Sequence, residues 1–339
     1  MRVLLIGGTG NISTSLTRLL VAAGHETWLV NRGNRNPIPG TRQIACDAKD
    51  EQALTAAIAD TAFDAVLDFI AFTPADIERD ARIFAGRTAQ YVFISSASVY
   101  QKPLARYLIT ESTPLLNPYW DYSRDKIACE ETCLRLLRTQ GFPAIIVRPS
   151  LTYDTVIPTA LGGWTDYTLV DRVKRGQPVV VHGDGSSLWT ITHAEDFSRA
   201  ISGLIGNPAA VGESFHITSD EVLTWDEIYR EIGRAVGVPT RLVHVPSDLV
   251  AAVEPWHRGN LHGDKSASAV FDNTKIKAFV PGWQARIPWR EGIRRTIAWY
   301  EADPARRVIN AGNNAFLDRC ISAMTAAYES IGKPLPILA

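Results

Sequence analysis

The stretch that most restricts this fold is GGTGNIS, Gly7 to Ser13. It follows the apolar run Arg2 to Ile6 directly and opens a helical pattern from Ser13 to Ala23. A strand, a glycine turn and a helix in that order begin a βαβ unit, and they put backbone N–H groups where a pyrophosphate can sit. The helix N-terminus adds a positive dipole end. Gly7, Thr9, Gly10, Asn11 and Ile12 are therefore the expected phosphate contacts. A plain tight turn would use the same glycines, but strand before, helix after and position near the start of the chain favour a dinucleotide. Ser13 stands where a third glycine is common and adds only a small side chain at the helix–sheet contact.

The alternation continues for about 150 residues. ETWLVN, RQIAC, AVLDFIA, YVFISS and AIIVRP read as strands, with helices near Glu51 to Ala59, Pro74 to Phe84 and Ser123 to Thr139. Strands this apolar, separated by helices, indicate an α/β fold: a doubly wound parallel (Rossmann) sheet covered on both faces. Residues 1–150 are the expected dinucleotide-binding core, rejoined by about 189–218, where Ala194 to Ile205 and SFHIT resemble a returning helix and strand. Residues 151–188 and 219–310, rich in Gly, Pro and Trp, form a smaller, discontinuous substrate-binding region. Residues 311–339 are read as a terminal helix, Asn314 to Ile331, and tail that cap the fold or serve a subunit contact.

A formal net charge of -1 supplies no field to draw in nucleic acid or an anionic membrane surface. Small anions need local sites instead. Four cysteines without a CxxC pair match neither a zinc site nor a disulfide framework, so no metal is expected and a reducing, cytoplasmic setting is. The first apolar run is too short for a signal or membrane segment.

The second strand ends in VNRGNRN, where an acidic residue would accept the ribose hydroxyls of NAD. Asn31 and Arg32 stand there, with Arg35 alongside. An arginine fork suits a phosphate and no carboxylate repels one, so NADP is expected, with NAD possible. A solvated basic loop is the plain alternative.

GGTGNIS, YVFISSASVY, ESTPLLNPYWDYSRDK, VRP and GDGSSLWTITHAEDF follow one another as the landmarks of extended short-chain dehydrogenases/reductases do. The chain resembles that group, the NAD-dependent epimerase/dehydratase family, as far as about Tyr300. The resemblance implies a catalytic trio of Ser96, Tyr122 and Lys126. It also implies a cofactor bordered by Asp47, Phe69, Ala71, Ser95 and Pro149, and a homodimer. The chemistry explains the types. Moving a hydride to or from a carbinol carbon needs a group that gives or takes the hydroxyl proton. A phenol with a pKa of about 10 is a poor base, and a lysine one helical turn on, with the nicotinamide cation, is expected to lower it by about 1 to 3 units. Ser96 would hydrogen-bond the substrate oxygen.

The resemblance fails at informative places. Ala97 and Ser98 occupy the positions of the acid and base that dehydratases use, which leaves Ser98 as a candidate substrate contact. RPSLTYD puts Leu151, and GDGSSLWTITH puts Trp189, where an asparagine and an arginine usually clamp a diphosphate. A nucleotide sugar loses its expected contacts, and Trp189 could stack on a sugar or lie in the core. EPWHRGNLHGDKS, Glu254 to Ser266, reads as a loop that could cover the substrate, with His257 and Arg258 facing it. The expected activity is NADP(H)-dependent interconversion of a secondary alcohol and a ketone on a sugar-like or polyhydroxylated small molecule. A sugar epimerase with tightly held cofactor is the alternative within the same chemistry. A non-catalytic relative that binds cofactor or RNA is the alternative outside it.

Overall fold

A computed structural model describes every residue from Met1 to Ala339 except Arg35. Five apolar runs form β1 (Arg2–Ile6), β2 (Glu26–Asn31), β3 (Thr41–Ala45), β4 (Ala65–Asp68) and β5 (Tyr91–Ile94). Ala144–Pro149 and Ser214–Ile217 complete a seven-stranded sheet ordered Ser214–Ile217, Ala144–Pro149, β5, β4, β1, β2, β3. Every pairing is parallel. Both faces are covered, which is why β4, β5 and Ala144–Pro149 are buried from end to end. Alternation in β1 sends Leu4 and Ile6 into one core layer and Val3 and Leu5 into the other. The strand order reverses between β1 and β4, so the crevice at their carboxyl ends is where such a sheet takes a ligand.

The helices α1 (Ser13–Ala22), α2 (Glu51–Ile58), α3 (Pro74–Phe84) and α4 (Asp121–Gln140) start for local reasons. Asp50 accepts the Ala53 N–H at 2.9 Å to cap α2, and Thr73 with Asp76 forms a capping box ahead of Pro74 in α3. α1 differs: it has no side-chain cap and no acid in its first turn. Its leading N–H groups are left for an anion.

A third core, holding Tyr153, Trp189, Trp225, Tyr229, Trp289 and Tyr300, forms the region beside the sheet. Short parallel pairs run through it, Leu151–Tyr153 with Ile191–His193 and Val179–His182 with Leu242–Val245. The terminal helix Ala311–Glu329 buries Phe316, Leu317 and Cys320 against this core, and Leu338 pairs with Leu242 beyond it. Among the described residues no helix is long and apolar enough to cross a membrane.

Residues 254–266 depart from the expected loop. They form a short helix, His257–Asn260, that runs into a π turn, Leu261–Lys265. Gly259 and Gly263 are not hinges. A Cβ at Gly259 would lie 2.5 Å from Trp120 Cδ1, and one at Gly263 would lie 2.9 Å from Trp120 Cβ. Two glycines four residues apart thus let this helix close on an indole, and the same residue type that signals a turn serves close packing here.

Candidate active site

The glycine loop is braced more firmly than a small residue at Ser13 suggested. The Ser13 hydroxyl accepts the Gly10 N–H at 2.8 Å and donates to the Gly7 carbonyl at 2.7 Å, and Thr17 donates to the Gly8 carbonyl at 2.8 Å. Gly7 has a φ of 82°, and a Cβ there would meet Ile70 Cγ2 at 2.7 Å. Asn11 is occupied across the crevice: it donates to Thr152 O at 3.0 Å and accepts the Asp154 N–H at 2.9 Å.

One cleft holds Gly7, Gly10, Asn11, Ile12, Phe69, Ser95, Ser96, Tyr122, Lys126 and Pro149. A second, of about 530 Å³, holds Thr9, Asn31, Arg32, Asp47 and, unforeseen, Asn34 and Lys49. Gly7, Gly10, Ile70 and Phe72 belong to both, so the two clefts form one groove from the end of β2 to the start of α4. The Asn31 side chain is committed within its own loop, to Gln43 at 2.8 Å and the Gly33 N–H at 2.9 Å. Arg35 lies outside the described residues. The groove fits a dinucleotide: a braced turn, an uncapped helix start and a buried hydroxyl, Ser150 Oγ, without a partner among the described residues all face it.

The three residues expected to be catalytic come together at the groove's inner end. The first two turns of α4 carry Tyr122 and Lys126 on one face, and Ser96 begins a short 3₁₀ turn after β5. Burial pushes the Tyr122 phenol above its ordinary pKa, and a hydrogen bond with Ser96 opposes that rise. Hydroxyls line up behind it. Ser123 donates to Ser98 at 2.8 Å, and Ser98 lies 2.9 Å from Ser96. Ser96 Oγ also accepts the Ser98 N–H at 3.2 Å. Ser98 lines the substrate side but is committed to this chain.

Lys126 is tied to the backbone at two points. Its ammonium donates to Ala71 O at 2.7 Å and Ile94 O at 2.8 Å, lies 4.5 Å from the Phe72 ring centre, and is 6.0 Å from that of Tyr122. Burial lowers the Lys126 pKa to about 8, against the nearby Asp68, Cys129, Glu130 and Asp76. The sequence reading missed Asp68. Its Oδ1 accepts the Ile70 and Ala71 N–H groups at 2.6 and 2.9 Å, fixing the turn whose carbonyl receives Lys126. Ser95 is likewise a fixed wall, bound to Glu130.

Past Tyr122 opens a cleft of about 560 Å³. Leu151 and His257 line it, but Trp189 and Arg258 do not. Trp189 is 2% exposed, 5.5 Å from Trp225, and its ring centre lies 5.9 and 6.0 Å from the buried ammoniums of Lys102 and Lys265. Arg258 points to solvent. His257 is stacked between Trp256 and Phe316, and burial lowers its pKa to about 4, so it is neutral. The other walls come from residues that local pattern could not single out: Trp120, Trp164, Asp166 and, beyond the family resemblance, Asn310, Asn313 and Phe316.

Residues 3–218 match the model of the NAD dependent epimerase/dehydratase family. The chain belongs to that family. Within it, the chain is 29% identical over 295 residues to 2'-dehydrokanamycin reductase of Streptomyces kanamyceticus, covering 84% of this chain and 81% of the relative. It is 26% identical over 260 residues to the chloroplast stem-loop binding protein of 41 kDa b of Arabidopsis thaliana, covering 72% of this chain and 65% of that protein. Among solved structures, dTDP-glucose 4,6-dehydratase from Bacillus anthracis in complex with NAD aligns with a TM-score of 0.72 over 90% of this chain and 98% of its own, at 19% identity. That likeness speaks for the fold.

Proposed function

We propose that this family member is an NADP(H)-dependent oxidoreductase that interconverts a secondary alcohol and a ketone on a sugar-like, polyhydroxylated small molecule. One observation carries the reading: the dinucleotide groove and the 560 Å³ cleft meet at Ser96, Tyr122, Pro149 and Ser150. A proton donor thus stands where the two ligands touch. When bound, the nicotinamide cofactor supplies or accepts the hydride. Tyr122 gives the carbonyl oxygen its proton, Ser96 turns its hydroxyl toward that oxygen, and Lys126 keeps a third N–H donor for the ribose. The similarity to a reductase favours net reduction over epimerisation. The test is NADPH oxidation with a panel of ketosugars, the alcohol product being quantified. Oxidation with a matching yield of alcohol supports the reading, and epimerised product without NADPH loss contradicts it.

Preference for NADP rests on Arg32 and Lys49, both exposed at the groove's adenosine end, which outnumber Asp47, the one carboxylate lining it among the described residues. Arg32→Glu is expected to weaken NADPH binding about tenfold, or 1.4 kcal/mol, and leave NADH almost unchanged. Fluorescence titration of both cofactors checks this, and equal losses would point to NAD. Cofactor affinity should also fall as pH rises through about 8, because the Lys126 ammonium loses its proton there. In Lys126→Met the affinity should be lower and flat across that range. A wild-type profile equally flat up to pH 10 would remove the lysine's charge from the account.

A further inference from the structure

The substrate cleft has one charge that nothing among the described residues matches. Asp264 faces Lys265 at 3.0 Å and Lys102 at 3.9 Å, and Glu254 faces Arg319 at 3.1 Å. Asp166 is only 8% exposed, and its oxygens accept the Thr168 N–H at 3.0 Å and the Asn313 amide at 2.7 Å. It forms no ion pair among the described residues. A carboxylate withdrawn from water without a cation is unfavourable unless a ligand brings one. The cleft is equally unsuited to an anion. Among the described residues no arginine lines it, and the lysine that does, Lys265, already serves Asn260 at 2.8 Å and Asp264. Trp164 and Trp256, 37% and 60% exposed, line the same cleft and offer aromatic surface there. A ring with apolar C–H faces and a positive charge suits both features.

We propose that the cleft selects an amine-bearing polyhydroxylated ring over a nucleotide sugar, with Asp166, held in place by Asn313 of the terminal helix, pairing the substrate's ammonium. This inference rests on reading the cleft as the substrate site. It does not depend on the direction or type of reaction there.

Calorimetric titration of the NADP-loaded protein tests it without turnover. The probes are kanamycin, a polyamine glycoside, its fully N-acetylated derivative, and UDP-glucose. Kanamycin should bind, N-acetylation should weaken it at least about tenfold, and UDP-glucose should give no heat. Asp166→Asn should weaken kanamycin about 10- to 100-fold and leave NADPH affinity unchanged. Asn313→Ala, a milder change, should weaken it in the same direction if Asp166→Asn does not fold. Equal binding of the acetylated probe, tighter binding of UDP-glucose, no binding of kanamycin, or an unchanged affinity in the folded variants would each overturn the proposal. Loss of amine selectivity with NADPH-dependent ketone reduction intact would sink this inference alone. Amine selectivity with no reduction of any ketone would sink the reductase reading alone.

Discussion

Tyr122→Phe is expected to lower kcat/KM for ketone reduction by about 10²- to 10⁴-fold while NADPH affinity stays within about twofold of wild type. The phenol stands at the junction of the groove and the cleft, hydrogen-bonded with Ser96 at the end of a run of hydroxyl donors, Ser123, Ser98 and Ser96. Those donors stabilise the phenolate left after the proton is given, which offsets the cost of burying it. Phenylalanine keeps the ring and its neighbours Phe72 and Trp120, so packing changes little. The cofactor groove keeps the glycine turn and Lys126. Steady-state kinetics with a separate cofactor titration resolve the two effects. A variant that retains more than a tenth of the rate would place the proton donor elsewhere.

The second large effect is on stability. Arg148→Met should destabilise the fold by about 3–5 kcal/mol, read as a lower urea midpoint at unchanged slope. Arg148 binds Glu130 through Nη2–Oε2 at 2.6 Å and Nε–Oε1 at 2.9 Å, with side chains 5% and 1% exposed. Removing the guanidinium leaves a buried carboxylate with only Ser95 as a donor among the described residues. It also breaks a longer chain. Arg148 Nη1 donates to the Tyr100 hydroxyl at 3.1 Å, which lies 2.9 Å from His216 Nδ1. Burial keeps His216 neutral, and its Nε2–H faces Asp272 O at 2.8 Å, so Nδ1 is the acceptor of the tyrosine proton. α4, the end of β5 and the last two strands of the sheet are tied by this chain directly beneath Ser95 and Ser96. The double variant Glu130→Leu with Arg148→Met should recover part of the loss, since no lone charge then remains. A single-variant loss below about 1 kcal/mol would mean that water reaches the pair.

What was readable in the sequence is what local spacing determines. The run Arg2 to Ile6, the glycine turn and the helix after it are neighbours in the chain, and Tyr122 and Lys126 need only one helical turn to share a face. Lys126 shows the limit. Its type and place were legible, but its acceptors, Ala71 and Ile94, are 55 and 32 residues away and come from two other strands' ends. Asp68 escaped because an acid ending an apolar strand has no local signature of holding a turn. The substrate cleft was least legible. Asp166 and Asn313 are 147 residues apart and meet only because the terminal helix folds back over the third core. Trp189 could be named but not placed, since an indole looks the same on a cleft wall and behind it. The two glycines facing Trp120 were read as loop residues because the partner that requires their missing side chains lies some 140 residues earlier.

The most direct test of the central claim is deuteride transfer. NADPH carrying deuterium at the transferring carbon is incubated with the protein and a panel of ketosugars, and the products are examined by mass spectrometry. The account predicts an alcohol that gains one deuterium, with equal loss of NADPH, and almost no labelled product from Tyr122→Phe. Epimerised sugar without the label and with NADPH undiminished would contradict it.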